Sequence, residues 1–174
     1  TQTEQVVAKL RRAAQAAGPG GIFTLALSAI DMACWDLKGK AAGLPLAHLL
    51  GGARDRVNTY ASGALTRPLP VSYLETAGPR LVDMGFRQMK MQCGSEPTIG
   101  ASVERVRVMR EAIGPDVDLM CDINQLWSVN QAIEIGHRIE PYQLFWLEDP
   151  VAHDDFPGLA RGAERARGRR IRQL

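Results

Sequence analysis

DLMCDINQLW, residues 118–127, begins as a buried strand and ends in polar groups. Leu119, Met120 and Cys121 form an apolar run that Asp122, Ile123 and Asn124 close. Strand side chains alternate faces, so Asp122 and Asn124 project to the same side. In parallel barrels and open α/β sheets, polar residues at the carboxyl ends of strands line the ligand site.

The same rhythm continues on both sides of this stretch. Upstream, FRQMKMQC (86–93) reads as a strand, and SVERVRVMREAIG (102–114) as a helix stopped by Gly114. Downstream, SVNQAIEIGHRIE (128–140) reads as a helix and YQLFWLED (142–149) as a strand. Further back, VNTYAS (57–62) reads as a strand, followed by a Pro-punctuated loop. A helix over 71–85 follows, with Pro79 predicting a kink or break. Strands separated by single helices at spacings of about thirty residues form βα units and a parallel sheet. Their apolar character predicts a sheet covered on both faces. No GxGxxG or P-loop follows any strand, so nucleotide binding has no support.

Before residue 56 the pattern is helical. Residues 3–17 have helical spacing, and GPGG (18–21) stops that helix. A second helix is predicted from 25 to 42, with Ala26, Ile30, Ala33, Leu37 and neighbouring Trp35 as its apolar, core-facing side. Gly43 ends it, and LPLAHLLGG (44–52) reads as a short helix.

A length of 174 residues fits one ordinary domain, or one with an appendage. With 45% hydrophobic and 23% charged residues the chain is globular in composition. No stretch is apolar enough to span a bilayer, and the opening residues lack a signal peptide's apolar core, so a cytoplasmic location is expected. Cys34, Cys93 and Cys121 share no CxxC spacing and read as reduced, buried thiols. Residues 161–174 hold six Arg and one Glu, a local charge of +5; the other 160 residues carry −3. The Arg-rich tail lacks aromatic interleaving and has no nucleic-acid module beside it, so neither nucleic acid nor membrane is expected as a partner. The tail reads as incidental or unstructured.

Three consecutive strands deliver polar groups to one rim: Lys90 and Gln92, then Asp122 and Asn124, then Glu148 and Asp149. Buried charge without a partner is costly, so these groups must neutralise each other or hold an ion. Carboxylates from adjacent strands suit a hard cation such as Mg²⁺. A lysine beside that cation would have its pKa lowered toward that of a base, and the cation would stabilise an enolate. A Lys90–Asp122–Glu148 salt-bridge network that closes the rim fits the spacing equally well.

Four segments carry a resemblance. ALSAIDMACWDLKGKAAGLPLAHLLGG (26–52) resembles the end of the capping domain in the mandelate racemase/muconate lactonizing branch of the enolase superfamily. GFRQMKMQ (85–92), LMCDINQLW (119–127) and FWLEDP (145–150) resemble the second, third and fourth barrel strands of those proteins. The similarity covers roughly residues 22–161. It implies an α/β fold: a partial (β/α)8 TIM-type barrel of about four βα units, preceded by the helical end of an α+β capping domain. It divides the chain into cap helices (1–55), a first half-barrel (56–161) and an atypical tail (162–174).

By the same resemblance a Mg²⁺ held by three acidic residues binds the substrate carboxylate, while bases on either face move the α-proton. Asp122 and Glu148 would be two of the ligands, Asn124 would contact substrate, and Lys90 would lie at the strand-two lysine motif. The usual pattern there is Lys-x-Lys; this chain reads KMQ, so Gln92 stands at the base position. An amide cannot take a proton at neutral pH and can only orient a hydroxyl or carboxylate. The resemblance therefore implies, for the intact parent enzyme, Mg²⁺-dependent α-proton abstraction from a hydroxy or sugar acid, with dehydration favoured over racemisation. The substrate would be a small carboxylate and the protein a homo-oligomer. The alternative is a catalytically inactive truncated or frameshifted half-barrel that self-associates, because the third ligand and the later strands are missing. His48 and His137 read as surface or packing residues; His153, on a strand-end loop near the rim, reads as a solvated histidine and not as a catalytic base.

Overall fold

The computed structural model describes residues 2–18, 20–166 and 172–173. The chain divides into two compact units, Thr1–Val57 and Asn58–Leu174.

The first unit holds α1 (Thr3–Ala13), α2 (Gly21–Ala42) and α3 (Leu46–Leu49). Gly43 ends α2 in a left-handed conformation (φ 65°), and the Leu44 N–H returns to the Gly39 carbonyl at 3.0 Å. That is a glycine stop whose bonds satisfy the last helical carbonyls. The face of α2 differs from the one expected. Leu27, Cys34 and Gly39 are buried, whereas Ala26, Ile30, Ala33 and Leu37 are exposed. The helix is apolar nearly all round, so periodicity selects no face. At its end the turn packs closely on it: a Cβ on Gly39 would lie 3.0 Å from the Leu44 carbonyl oxygen.

The second unit is α/β. In order it holds α4 (Val71–Asp83), β1 (Gln88–Gln92), α5 (Ile99–Ile113), β2 (Asp118–Asp122), α6 (Val129–Ile139), β3 (Trp146–Glu148), α7 (Phe156–Ala166) and β4 (Arg172–Gln173). The four strands form one parallel sheet in sequence order. Side-chain caps start two of the connecting helices. Thr98 accepts from Ala101 N–H, and Ser128 with Gln131 forms a reciprocal capping box.

Met89, Met91, Leu119, Cys121 and Leu147 are buried against Leu74, Val106, Met109, Ile135 and Ile139 of the helices. Each such Leu, Ile or Met side chain contributes roughly 1.5–3 kcal/mol by leaving water. The expectation of strands apolar on both faces holds only for β2. In β1 burial alternates, with Gln88, Lys90 and Gln92 on the less buried face, and β3 alternates likewise. One sheet face is therefore core and the other carries the polar groups.

Three further expectations are corrected. The strand over 57–62 reduces to a single parallel bridge, Ala61 to Met89. Pro79 does not break its helix, the break being one of the two outcomes expected: α4 runs through it, and beside it Gly78 packs closely on α5, where a Cβ would lie 2.8 Å from Ile113 Cγ2. The region from 162 is not wholly unstructured. Helix α7 continues to Ala166, as good helix formers (Ala, Arg, Glu) allow, and β4 pairs with β3 at Arg172 and Gln173. Residues 167–171 and 174 lie outside the described residues. No helix among the described residues is long and apolar enough to cross a membrane.

Candidate functional site

Gln92, Asp122 and Glu148 stand level across three neighbouring strands as Cα partners. Each is the last residue of its strand, so their side chains meet at one end of the sheet. Lys90 sits two residues before Gln92, hence on the same face. Its Nζ donates to Glu148 Oε1 and Oε2 at 2.9 and 3.0 Å and to Asp122 Oδ2 at 3.3 Å. The side chains of Lys90 and Asp122 are 12% and 8% exposed and that of Glu148 is 29% exposed, so the cluster is largely shielded from water.

The second oxygens are also engaged. Asn124 N–H donates to Asp122 Oδ1 at 3.0 Å, and Trp146 Nε1 donates to Glu148 Oε2 at 3.1 Å. Tyr60 packs edge-on to Trp146 and lies 5.5 Å from Lys90 Nζ, a weak cation–π contact. Burial works to lower the Lys90 pKa. The hydrogen bonds to Glu148 and Asp122, with their charges, outweigh it and hold the ammonium above its ordinary value. The lowering expected of a lysine base was tied to a cation beside it; here the ammonium faces two carboxylates.

The backbone beyond these strand ends is unusual. Asn124, Gln125 and Asp149 have positive φ (49°, 67° and 44°), a region rarely occupied by residues other than glycine. Bonds hold the turns together: Ile123 N–H to Glu148 O at 3.0 Å and Gln125 N–H to Asp149 O at 2.7 Å. Gln125 Oε1 in turn accepts from His153 N–H at 2.9 Å and lies 2.8 Å from His153 Nδ1. His153 is thereby tied to the rim loop and exposed; His48 and His137 are exposed on helices.

Two arginines missed in the sequence surround the site. Arg105, buried on α5, donates to the carbonyls of Gln92 (3.2 Å), Leu69 (2.8 Å) and Thr66 (3.0 Å), and its Nε lies 3.5 Å from Glu96 Oε1. Arg67, in the loop before α4, donates Nε to Cys93 O at 2.8 Å and Nη2 to Asn124 Oδ1 at 2.7 Å. The clue available was an arginine in a Pro-punctuated loop, TRPLP (66–70). Asp149, named as a rim residue, is exposed and outside the Lys90 cluster.

Asp122 and Glu148 offer hard carboxylate oxygens with a cationic group already between them, which suits a divalent ion by donor type. Among the described residues no third His, Cys, Asp or Glu joins them. The three cysteines are free and buried. Cys121 is the most strongly perturbed thiol: burial, then its hydrogen bond with Cys93, pushes it well above the ordinary range.

Comparison with known proteins gives two family matches. Residues 1–51 match the N-terminal domain model of mandelate racemase/muconate lactonizing enzyme, and residues 73–171 match the enolase C-terminal domain-like model. The matched region therefore extends at both ends beyond the 22–161 expected from the motifs. A 3,6-anhydro-alpha-L-galactonate cycloisomerase of Streptomyces coelicolor is 43% identical over 145 residues, 83% of this chain and 40% of that protein. The L-talarate/galactarate dehydratase of Salmonella typhimurium is 36% identical over 160 residues, 91% of this chain and 39% of that protein. Among solved structures, a Streptomyces coelicolor racemase with bound magnesium superposes with a TM-score of 0.85 at 38% identity, covering 99% of this chain and 51% of that one. The chain thus spans about half, or less, of the length of the relatives it matches.

Proposed function

Because the chain belongs to the mandelate racemase/muconate lactonizing branch of the enolase superfamily, we propose that it forms part of a Mg²⁺-dependent enzyme that removes the α-proton of a hydroxy or sugar acid. On this reading the first unit is the helical end of a capping domain and the second is the first half of a (β/α)8 barrel. Asp122 and Glu148 would hold the ion. When bound, the ion supplies positive charge that offsets the negative charge developing on the acid as its α-proton leaves.

The chain's own residues then have distinct roles. Lys90, whose ammonium bonds Asp122 and Glu148, donates hydrogen bonds and positive charge to a carboxylate at the rim. Gln92 orients a hydroxyl or carboxylate and cannot serve as a base. Asn124 contacts the substrate. With an amide where the branch pattern has a lysine, two-base racemisation lacks one partner, and dehydration is favoured. Relatives at 43%, 36% and 31% identity named as a cycloisomerase, a galactarate dehydratase and an arabinonate dehydratase support an acid-sugar substrate.

The observation that carries the reading is the convergence of Asp122 and Glu148, level on neighbouring strands, on one cationic group. Calorimetric titration of Mg²⁺ tests it, with Asp122→Ala and Glu148→Ala as controls. The parent is expected to bind and both variants to lose binding; equal behaviour of all three would end the proposal. Solvent deuterium exchange at the α-carbon, followed by NMR over a panel including galactarate and arabinonate, tests the chemistry.

A second reading is favoured by the position of Lys90, which already neutralises both carboxylates. The cluster would then be a closed ion-pair network, and the chain a catalytically silent half-barrel that self-associates. Sedimentation showing a stable oligomer, with no Mg²⁺ binding, would select it.

A further inference from the structure

The two amides at the rim, Asn124 and Gln92, each have one oxygen acceptor and one NH₂ donor, and which atom faces outward decides what they recognise. Arg67 settles this for Asn124. Its Nη2 lies 2.7 Å from the Asn124 side chain, and two donors cannot face each other at that distance, so the inward atom is Oδ1. The Asn124 NH₂ has no partner among the described residues, and the residue is exposed. Gln92 follows the same polarity through a longer contact, its Oε1 accepting from the Arg67 backbone N–H at 3.4 Å.

The guanidinium is itself fixed. Arg67 Nε bonds Cys93 O at 2.8 Å, and a second, longer Nη2 contact reaches Ile123 O at 3.4 Å. Its loop is pinned by Gln92 N–H to Leu65 O at 2.9 Å and by Arg105 on the Thr66 and Leu69 carbonyls. A charged donor satisfies the Asn124 oxygen more strongly than a neutral one would, which makes a flip of the amide costly.

We infer that Arg67 is a positioning residue whose guanidinium sets the Asn124 amide as an outward donor, so that the site selects an acid with an acceptor oxygen, carboxylate or hydroxyl, beside the Asp122–Glu148 pair. It follows that Asn124 meets the substrate through its NH₂, the atom left facing outward. The inference rests on the acid-sugar reading of the same site and deepens it by assigning the polarity of its recognition.

The test is calorimetry of galactarate binding to Mg²⁺-saturated protein, with Mg²⁺ affinity measured separately. Arg67→Met frees the amide and should weaken galactarate binding about tenfold or more, the usual loss of a hydrogen bond to a charged group, while Mg²⁺ still binds. Arg67→Lys should recover part of the affinity. Asn124→Ala removes the outward donor without adding charge, and should bind galactarate as poorly as Arg67→Met while Mg²⁺ still binds. Unchanged galactarate affinity in Arg67→Met or Asn124→Ala overturns this inference alone. A parent that binds neither Mg²⁺ nor galactarate overturns the acid-sugar reading, and this inference with it.

Discussion

Replacing Lys90 by methionine isolates the central electrostatic claim. The Lys90 ammonium lies 3.3 Å from Asp122 and 2.9 Å from Glu148, so the bonded oxygens are separated by at most about 6 Å. Without the ammonium two carboxylates face each other across that gap. At an effective dielectric of about 20 their repulsion is roughly 3 kcal/mol, at the lower end of what breaking a buried ion pair costs, about 3–5 kcal/mol. The 29% exposure of the Glu148 side chain argues for the lower figure. For a chain of this size a loss of that order lowers the melting temperature by about 6–12 °C at neutral pH.

The sign of the pH dependence is fixed. In the Lys90→Met variant mutual repulsion raises the carboxylate pKa values, so the penalty is present above the ordinary carboxylate range and is lost as pH falls through it. Thermal melts of parent and variant followed by circular dichroism should therefore converge near pH 4, roughly the ordinary carboxylate value. Added Mg²⁺ should raise the melting temperature of the variant more than that of the parent, because the ion no longer competes with an ammonium. Equal stability at pH 7, or a gap that neither acid nor Mg²⁺ narrows, would refute the reasoning.

At alkaline pH the opposite group titrates. The raised Lys90 pKa contributes stability that is full below the ordinary lysine value, about 10.4, and is lost as pH rises through the folded value; the parent's advantage over Lys90→Met should shrink there in melts up to high pH. Gly78→Ala and Gly136→Ala should differ in sign. An added Cβ at Gly78 would stand 2.8 Å from Ile113 Cγ2, whereas nothing lies within 4 Å at Gly136. Denaturant unfolding should show the first destabilised by about 1–3 kcal/mol and the second stabilised by up to about 1 kcal/mol. Arg105→Met takes the guanidinium away from three carbonyls and from the nearly buried Glu96 carboxylate, and should cost about 3–5 kcal/mol by the same assay. Adding Glu96→Gln should recover part of that loss.

Strand alternation made the candidate site legible before any coordinates. Once 86–93, 117–123 and 142–149 are strands of one parallel sheet, Lys90, Gln92, Asp122 and Glu148 fall on one face by period alone, and the register aligns the last three. The arginines were not legible that way. Arg67 sits in a loop without periodicity, and Arg105 sits mid-helix among exposed charged neighbours. Each acts through a long side chain that reaches backbone carbonyls 25 or more residues away, apart from Arg105's contact at Gln92. Backbone acceptors leave no trace in residue identity. The packed face of α2 was hidden for the opposite reason, an apolar surface that offered every face to the core.

The strain at the strand ends ties these observations together. Three residues other than glycine, Asn124, Gln125 and Asp149, occupy left-handed backbone within three residues of the last β2 and β3 positions, at a cost of order 1–3 kcal/mol each, least for asparagine. The bonds that hold them run between the two rim turns, or back to the Asp122 carboxylate itself. A sheet that needed only to end could turn on glycine without that cost. What the strained turns achieve is placement: they carry the chain sharply away from Asp122 and Glu148, and they bring the Asn124 amide onto Arg67. Backbone strain, paired carboxylates and an amide of fixed polarity thus occupy one rim, and this coincidence favours a binding site there over a merely closed sheet end.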